Sequence, residues 1–153
     1  MTKRLRADDG RKPSNPKDAL GIRKVPIYSV ISLRVLANVA LGMLEGALKY
    51  GRHNYRVIGV RASVYVDAAS RHIAQFWEGQ DIDTESKAKL HHLDKAISSL
   101  MVLRDSMLRG NWVDDRPPAS DDGWLDEANA IAGELIEAFP NPAAPYTQIE
   151  HGA

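Results

Sequence analysis

The chain has no cysteine, which excludes disulfides, thiolate metal sites and a Cys nucleophile. Any metal chemistry is left to oxygen or imidazole ligands. It also has no charge excess: 20 Lys and Arg balance 20 Asp and Glu. No bulk field draws it to nucleic acid or to an anionic membrane surface, so any anion site has to be local. No stretch approaches the roughly 18 apolar residues that a bilayer span needs, and the basic start, Met1 to Gly21, has no apolar h-region. The expectation is a soluble, unexported cytoplasmic protein with neither nucleic acid nor membrane as a partner. Several signatures are missing as well: Gly-x-x-x-x-Gly-Lys-Ser/Thr, Gly-x-Gly-x-x-Gly, His-Glu-x-x-His, Gly-x-Ser-x-Gly and the His-Asp dipeptide. These absences set aside P-loop, Rossmann, zincin, α/β-hydrolase and HD-type chemistry.

What the chain does have is helical periodicity on a scale that suits one domain of 153 residues. Residues 1 to 26 hold Pro13, Pro16 and Pro26 among many charges and read as an extended arm. From Ile27 to Lys49, Val30, Leu33, Leu36, Ala37, Ala40, Leu41, Leu44 and Leu48 recur at helical spacing, with Tyr50-Gly51 as the stop. Arg52 to Ala62 is a cationic loop. Ser63 caps a second helix running to about Glu78, and Gly79 ends it. After an acidic loop to Thr84, a third helix runs from about Glu85 to Gly110. Asp114 to Pro118 forms a turn, and Asp121 or Asp122 caps a shorter helix from Trp124 to Phe139. The tail after Pro140 reads as irregular, no internal repeat occurs, and the one candidate for an alternating strand, Val57 to Val66, is interrupted by Arg61 and Ser63. The fold class is therefore an all-α small helical bundle forming a single domain over 1–153. Its core covers about 27–110, between the arm of 1–26 and a C-terminal helix and tail over 120–153.

Three constellations carry candidate chemistry. Glu45 and Lys49 lie four apart on the first helix, just before Gly51, Arg52 and Asn54. A carboxylate can hold a divalent cation while the ammonium and guanidinium take phosphate oxygens, although the same spacing serves an ordinary surface salt bridge. Asp67, Arg71 and His72 share the second helix, where an acid and two nitrogen donors suit a metal-bound triphosphate or a solvated face. Asp81, Asp83 and Glu85 cluster within five residues at the predicted start of the third helix, with His92 and Lys95 following. Hard Mg²⁺ wants such oxygen ligands, and a helix N-terminus also favours acids through its dipole.

With these segments in view, the chain resembles the phage dATP/dGTP diphosphohydrolase family, a divergent MazG-like group. The resemblance rests on Asn-Pro-Lys-Asp at 15–18, Glu-Gly-Ala-Leu-Lys-Tyr-Gly-Arg-His-Asn-Tyr-Arg at 45–56, and Gly-Val-Arg-Ala-Ser-Val-Tyr at 59–65. It continues through Asp-Ala-Ala-Ser-Arg-His at 67–72, Asp-Ile-Asp-Thr-Glu-Ser at 81–86, His-Leu-Asp-Lys-Ala at 92–96 and Asp-Asp-Arg-Pro-Pro at 114–118. It implies hydrolysis of dGTP or dATP to the monophosphate and pyrophosphate, in a homo-oligomer, dimer or tetramer, within an infected host cell. It implies Lys49, Arg71, His72, His92 and Lys95 as catalytic groups, and Lys17, Arg52, Asn54, Tyr55, Arg61 and Arg116 as substrate-binding groups. It implies metal sites walled by helices, for which the residues offer Glu45, Asp67, Asp81, Asp83 and Glu85 facing a cleft that holds two or three Mg²⁺ or Mn²⁺ ions, not all of them necessarily ligands. Tyr50, Asn54 and Tyr55 fall where base selection would occur. The core lacks the clean Glu-x-x-Glu and Glu-x-x-Asp copies that typical MazG proteins use for metal. Two other readings stand beside this one: a non-enzymatic helical binding module, and a triphosphohydrolase that releases intact triphosphate.

Overall fold

The computed structural model describes residues 16–21 and 23–151, and it is an all-α bundle. In chain order the helices are α1 (Pro16–Gly21), α2 (Ile27–Val30), α3 (Leu33–Tyr50), α4 (Tyr55–Ile58), α5 (Ala62–Trp77), α6 (His92–Leu108), α7 (Trp124–Ala138) and α8 (Gln148–His151). Two short strands, β1 (Val60–Arg61) and β2 (Trp112–Val113), precede α5 and follow α6. Helix α6 is the centre of the bundle, packed against α5 on one flank and α3 on the other.

The predicted helices are present, and their ends differ for local reasons. The first is split: Ser32 is extended and its hydroxyl accepts from the Val35 N–H at 3.4 Å, so α3 starts afresh there. Gly51, at φ +93°, ends α3 and donates its N–H to the Ala47 carbonyl. Ser63 is not the cap of α5 but its second residue; the carboxylate of Asp115, from far along the chain, accepts its backbone N–H at 2.9 Å. The third helix begins at His92, not near Glu85. The His92 N–H goes to the Asp81 carbonyl at 2.8 Å, Asp83 N–H to Leu90 carbonyl at 2.9 Å, and the His91 ring accepts from Leu93 N–H. Residues 81–91 thus close a small hairpin that uses the donors a longer helix would need. The cationic loop, expected to be irregular, contains α4 and β1, and β1 pairs in parallel with β2 through Val60↔Trp112 and Arg61↔Val113. The arm's expected extension fails over 16–21, where Pro16 occupies a first-turn position that tolerates its missing N–H. Residues 1–15 of that arm lie outside the described residues. Gly123, at φ +91°, precedes α7 in place of the expected Asp cap.

A small apolar cluster of Val60, Ala62 and Leu103, with Tyr55, Tyr65, Val102, Met107 and Trp112 against it, ties α5, α6 and the strand pair together. At the α3–α6 contact, Gly42 gives the space that the Ser98 hydroxyl occupies. That hydroxyl lies 2.9 Å from the Val39 carbonyl and 2.7 Å from the Asp94 carbonyl. Among the described residues no helix is long and apolar enough to cross a membrane.

Candidate active site

The second half of α3, the loop after it, the first turns of α5 and the middle of α6 enclose a cleft of about 620 Å³. One end is ionic. Lys49, one turn beyond Glu45 on α3, lies 3.2 Å from Glu45 Oε1, and Lys95 of α6 lies 3.2 Å from Glu45 Oε2. Lys95 also pairs tightly with Asp83, whose other oxygen accepts the Glu85 backbone N–H. Four side chains from α3, α6 and the 81–91 hairpin therefore form one chain of alternating charge: Lys49, Glu45, Lys95, Asp83.

Burial sets the electrostatics of this chain. The Asp83 side chain is 8 % exposed and that of Lys95 17 %, whereas Lys49 is 52 % exposed and open to a ligand. Burial pushes the Glu45 carboxyl up, but hydrogen bonds from Lys49 and Lys95 more than offset it, so the group titrates below its ordinary range. Asp83 behaves likewise, with burial outweighed by Lys95 and the Glu85 N–H. Burial lowers the Lys95 ammonium, and the two carboxylates raise it further than burial lowers it. All three groups are held charged.

Beside the network, the His72 and His92 rings meet Nδ1 to Nδ1 at 2.8 Å, with His92 almost fully buried. Only one hydrogen fits between two such nitrogens, so the rings take complementary tautomers. Burial, then the Lys95 charge and His92, lower the His72 pKa against the smaller opposite pull of Asp83. His72 is thereby held neutral near pH 7.

The rest of the cleft is aromatic and amide in character. Tyr50, Tyr55 and Tyr65 line it with Arg52, His53 and Asn54. The loop is fastened from behind: Arg56 makes a two-pronged ion pair with Asp105 of α6 at 2.6 and 2.9 Å, and Asn111 donates to the Tyr55 carbonyl at 3.2 Å. Arg56 is therefore a clamp of the fold, while Arg52 faces the cleft.

The residues expected from sequence fall into two groups. The structure brings together Glu45, Lys49, Arg52, Asn54, Tyr55 and Lys95 around the cleft, with Asp83 and His72–His92 adjoining its ionic end. Asp67, Arg71, Asp81 and Glu85 are exposed and do not line it. Arg61 pairs with Asp115, Arg116 pairs with Asp114 and lies over the Trp112 ring, and Lys17 sits in α1; none of the three lines the cleft. Among the described residues, no three His, Asp or Glu side chains gather, and of the five expected acids only Glu45 and Asp83 meet, across the Lys95 ammonium. Tyr65, His53, Ser98 and Ser99 line the cleft without having been expected. Tyr65 reads from periodicity as core, and it does both jobs; the Ser98-Ser99 pair interrupts an otherwise apolar helix pattern, which was the available signal.

A family model described as dATP/dGTP diphosphohydrolase, N-terminal, matches residues 14–116, which include every lining residue of the cleft and both histidines. No curated protein and no solved structure matches the chain.

Proposed function

We propose that this chain, which belongs to the dATP/dGTP diphosphohydrolase N-terminal family, hydrolyses a purine deoxynucleoside triphosphate, dGTP or dATP, to the monophosphate and pyrophosphate. The observation that carries this reading is the polarity of the cleft: the Lys49–Glu45–Lys95–Asp83 network at one end and three tyrosines around the remainder. A nucleoside triphosphate has the same polarity, with a polyanion at one end and a flat ring at the other.

Mg²⁺ and Mn²⁺, in the two or three copies that the family resemblance implies, fit the site in a limited sense. Mg²⁺ is commonly held by one or two carboxylates, with waters and substrate phosphates completing its shell. Glu45 and Asp83 already face one cation, the Lys95 ammonium, and are the pair suited to hold another. A bound ion there supplies charge neutralisation and a more acidic water. Asp67, Asp81 and Glu85 are not needed for it.

The chain's own groups do the remaining work. Lys49, half open to solvent, and Arg52 donate to non-bridging oxygens of the polyphosphate. Water oxygen bonds to phosphorus, the α–β bridging P–O bond breaks, and pyrophosphate leaves with its charge held by these cations. The proton released by the water passes to a neutral imidazole, and His72, with its tautomer fixed by His92, is the one beside the network. Tyr50, Asn54 and Tyr55 frame the base. Assembly of two or four copies belongs to the same proposal, supported by apolar helix faces that a single chain leaves open.

Incubation with dGTP or dATP and Mg²⁺, followed by ion-exchange chromatography, tests it. The expected products are the deoxynucleoside monophosphate and pyrophosphate. Intact substrate would support a binding module instead, and release of triphosphate a different bond cleavage.

A further inference from the structure

Helix α7 lies beyond the family-matched region, and among the described residues it has none that is buried. Its sequence is nonetheless that of a packing helix. Trp124, Leu125, Ile131, Leu135 and Ile136 recur at helical spacing on one face, and each is more than half exposed. Between Asp121 and Ala138 there are six acids, Asp121, Asp122, Asp126, Glu127, Glu134 and Glu137, and no Lys or Arg.

A second open stripe lies on α3. This helix buries Val39 and sets Gly42 against α6, while Leu33, Leu41, Leu44 and Leu48, at spacings of eight, three and four, share another side and stay exposed. Its surroundings have the opposite charge. From Arg23 to Leu44 the chain carries Arg23, Lys24 and Arg34 and no acid, while Glu45 and Lys49 at its far end pair with one another. The two stripes also match in length: α7 has 15 residues and the α3 stripe spans 16, about 22–24 Å each at 1.5 Å per residue.

We propose that α7 of one copy seats on the outer stripe of α3 of a second copy, acids against the basic flank, so that two chains exchange α7 reciprocally. This rests on the proposed self-assembly and not on the proposed substrate. A second copy is the occupant because of how the linker starts. Asp115 is pinned to Ser63, Arg116 to Asp114 and Trp112, and the next two residues are Pro117 and Pro118. Consecutive prolines hold the chain extended, and each also restricts the residue before it, which disfavours a tight turn that would fold α7 straight back onto α3 of its own chain. Reciprocal exchange of one element is a low-cost route to a closed dimer. An anionic lipid surface is a poor seat for a helix with four acids, two more just before it, and no base.

The absence of cysteine makes the test clean. Full-length Leu41→Cys and full-length Ile131→Cys are purified separately, mixed, and treated with a short bis-maleimide linker, while light scattering gives the mass of the unmodified protein. The expected result is a covalent pair joining position 41 of one chain to position 131 of the other, verified by peptide mass spectrometry. Arg34→Glu in the Leu41→Cys chain should lower its yield about fivefold, the worth of roughly 1 kcal/mol of charge pairing. The proposal is overturned if a full-length Leu41→Cys, Ile131→Cys double variant, treated in the same way, links the two positions only within one chain. It is equally overturned if light scattering shows an assembly but no 41–131 link forms, which leaves self-assembly standing through another face. A monomeric mass would remove the self-assembly reading itself.

Discussion

At the scale of single residues, the two lysines of the ionic network differ: one is open to a ligand and one is already committed. Lys49 is half exposed and tied only to Glu45, whereas Lys95 is enclosed by Glu45 and Asp83. Lys49→Met should therefore leave folding intact and lower both kcat and kcat/KM for dGTP, by roughly 100-fold for one lost donor to a developing charge. Lys87→Met, at an exposed position in the 81–91 hairpin, should change the rate by less than about threefold. Equal small effects in steady-state kinetics would make Lys49 a mere partner of Glu45. Asp83→Asn is expected to abolish turnover and also to lower stability, because the charge facing Lys95 is buried. The cost should be on the order of 2 kcal/mol in urea melts, below that of a fully orphaned buried pair because Lys95 keeps Glu45. His72 adds a pH dependence of known sign. Its folded pKa is depressed, first by burial, so its contribution to stability is complete above the unfolded value of about 6.5 and is lost as pH falls from there toward the folded value. Thermal midpoints should fall from pH 7 to pH 5, and His72→Gln should flatten that interval; an unchanged slope would mean that His72 is solvated in the fold. The Glu45–Lys49 pair was legible because both ends lie on one helix. Asp83 and Lys95 fell in one constellation, but their ion pair was not legible, since it closes across a hairpin whose second half periodicity assigned to helix, and Ser63–Asp115 joins residues 52 apart.

At the scale of elements, the sequence patterns located four main helices and misplaced their junctions. Apolar recurrence at 3.6 residues reports where a helix runs, and it did so for α3, α5, α6 and α7, but on α3 and α7 the apolar stripe it picks out stays exposed. It reports nothing about where a backbone donor finds a better acceptor. That is why Ser32 splits the first pattern and the Asp81 carbonyl stops α6 at His92. The strand pair was equally hidden, since two residues on each side are too few to show an alternation. Glycines on α3 give an element-scale test with opposite signs one turn apart. At Gly42 an added carbon meets the Ser98 side chain, so Gly42→Val should destabilise by about 1–3 kcal/mol. At Gly46 a Cβ meets nothing, so Gly46→Ala should gain up to about 1 kcal/mol from helix propensity. Denaturant unfolding of the two variants side by side checks both; a loss at Gly46 as large as that at Gly42 would refute the assigned packing of α3 on α6.

At the scale of the whole molecule, the described residues leave long apolar stripes open to water: the exposed side chains include four leucines of α3 and the whole apolar face of α7. Such surface is stable in water only when something covers it, and a second copy of the chain does so in proportion to its concentration. Folding and assembly should then be linked, so that the thermal midpoint depends on how much protein is present. A hundredfold rise in concentration favours the assembled state by about 2.7 kcal/mol, shared by two chains in a dimer. At the usual two to four degrees per kcal/mol for a chain of about 150 residues, the midpoint should rise by on the order of 4 °C. Calorimetry from about 1 to about 100 micromolar protein measures this directly, and the range brackets the affinities typical of modest interfaces. A midpoint that stays constant across that range would mean that the isolated chain covers its own stripes, with α7 folded back onto α3.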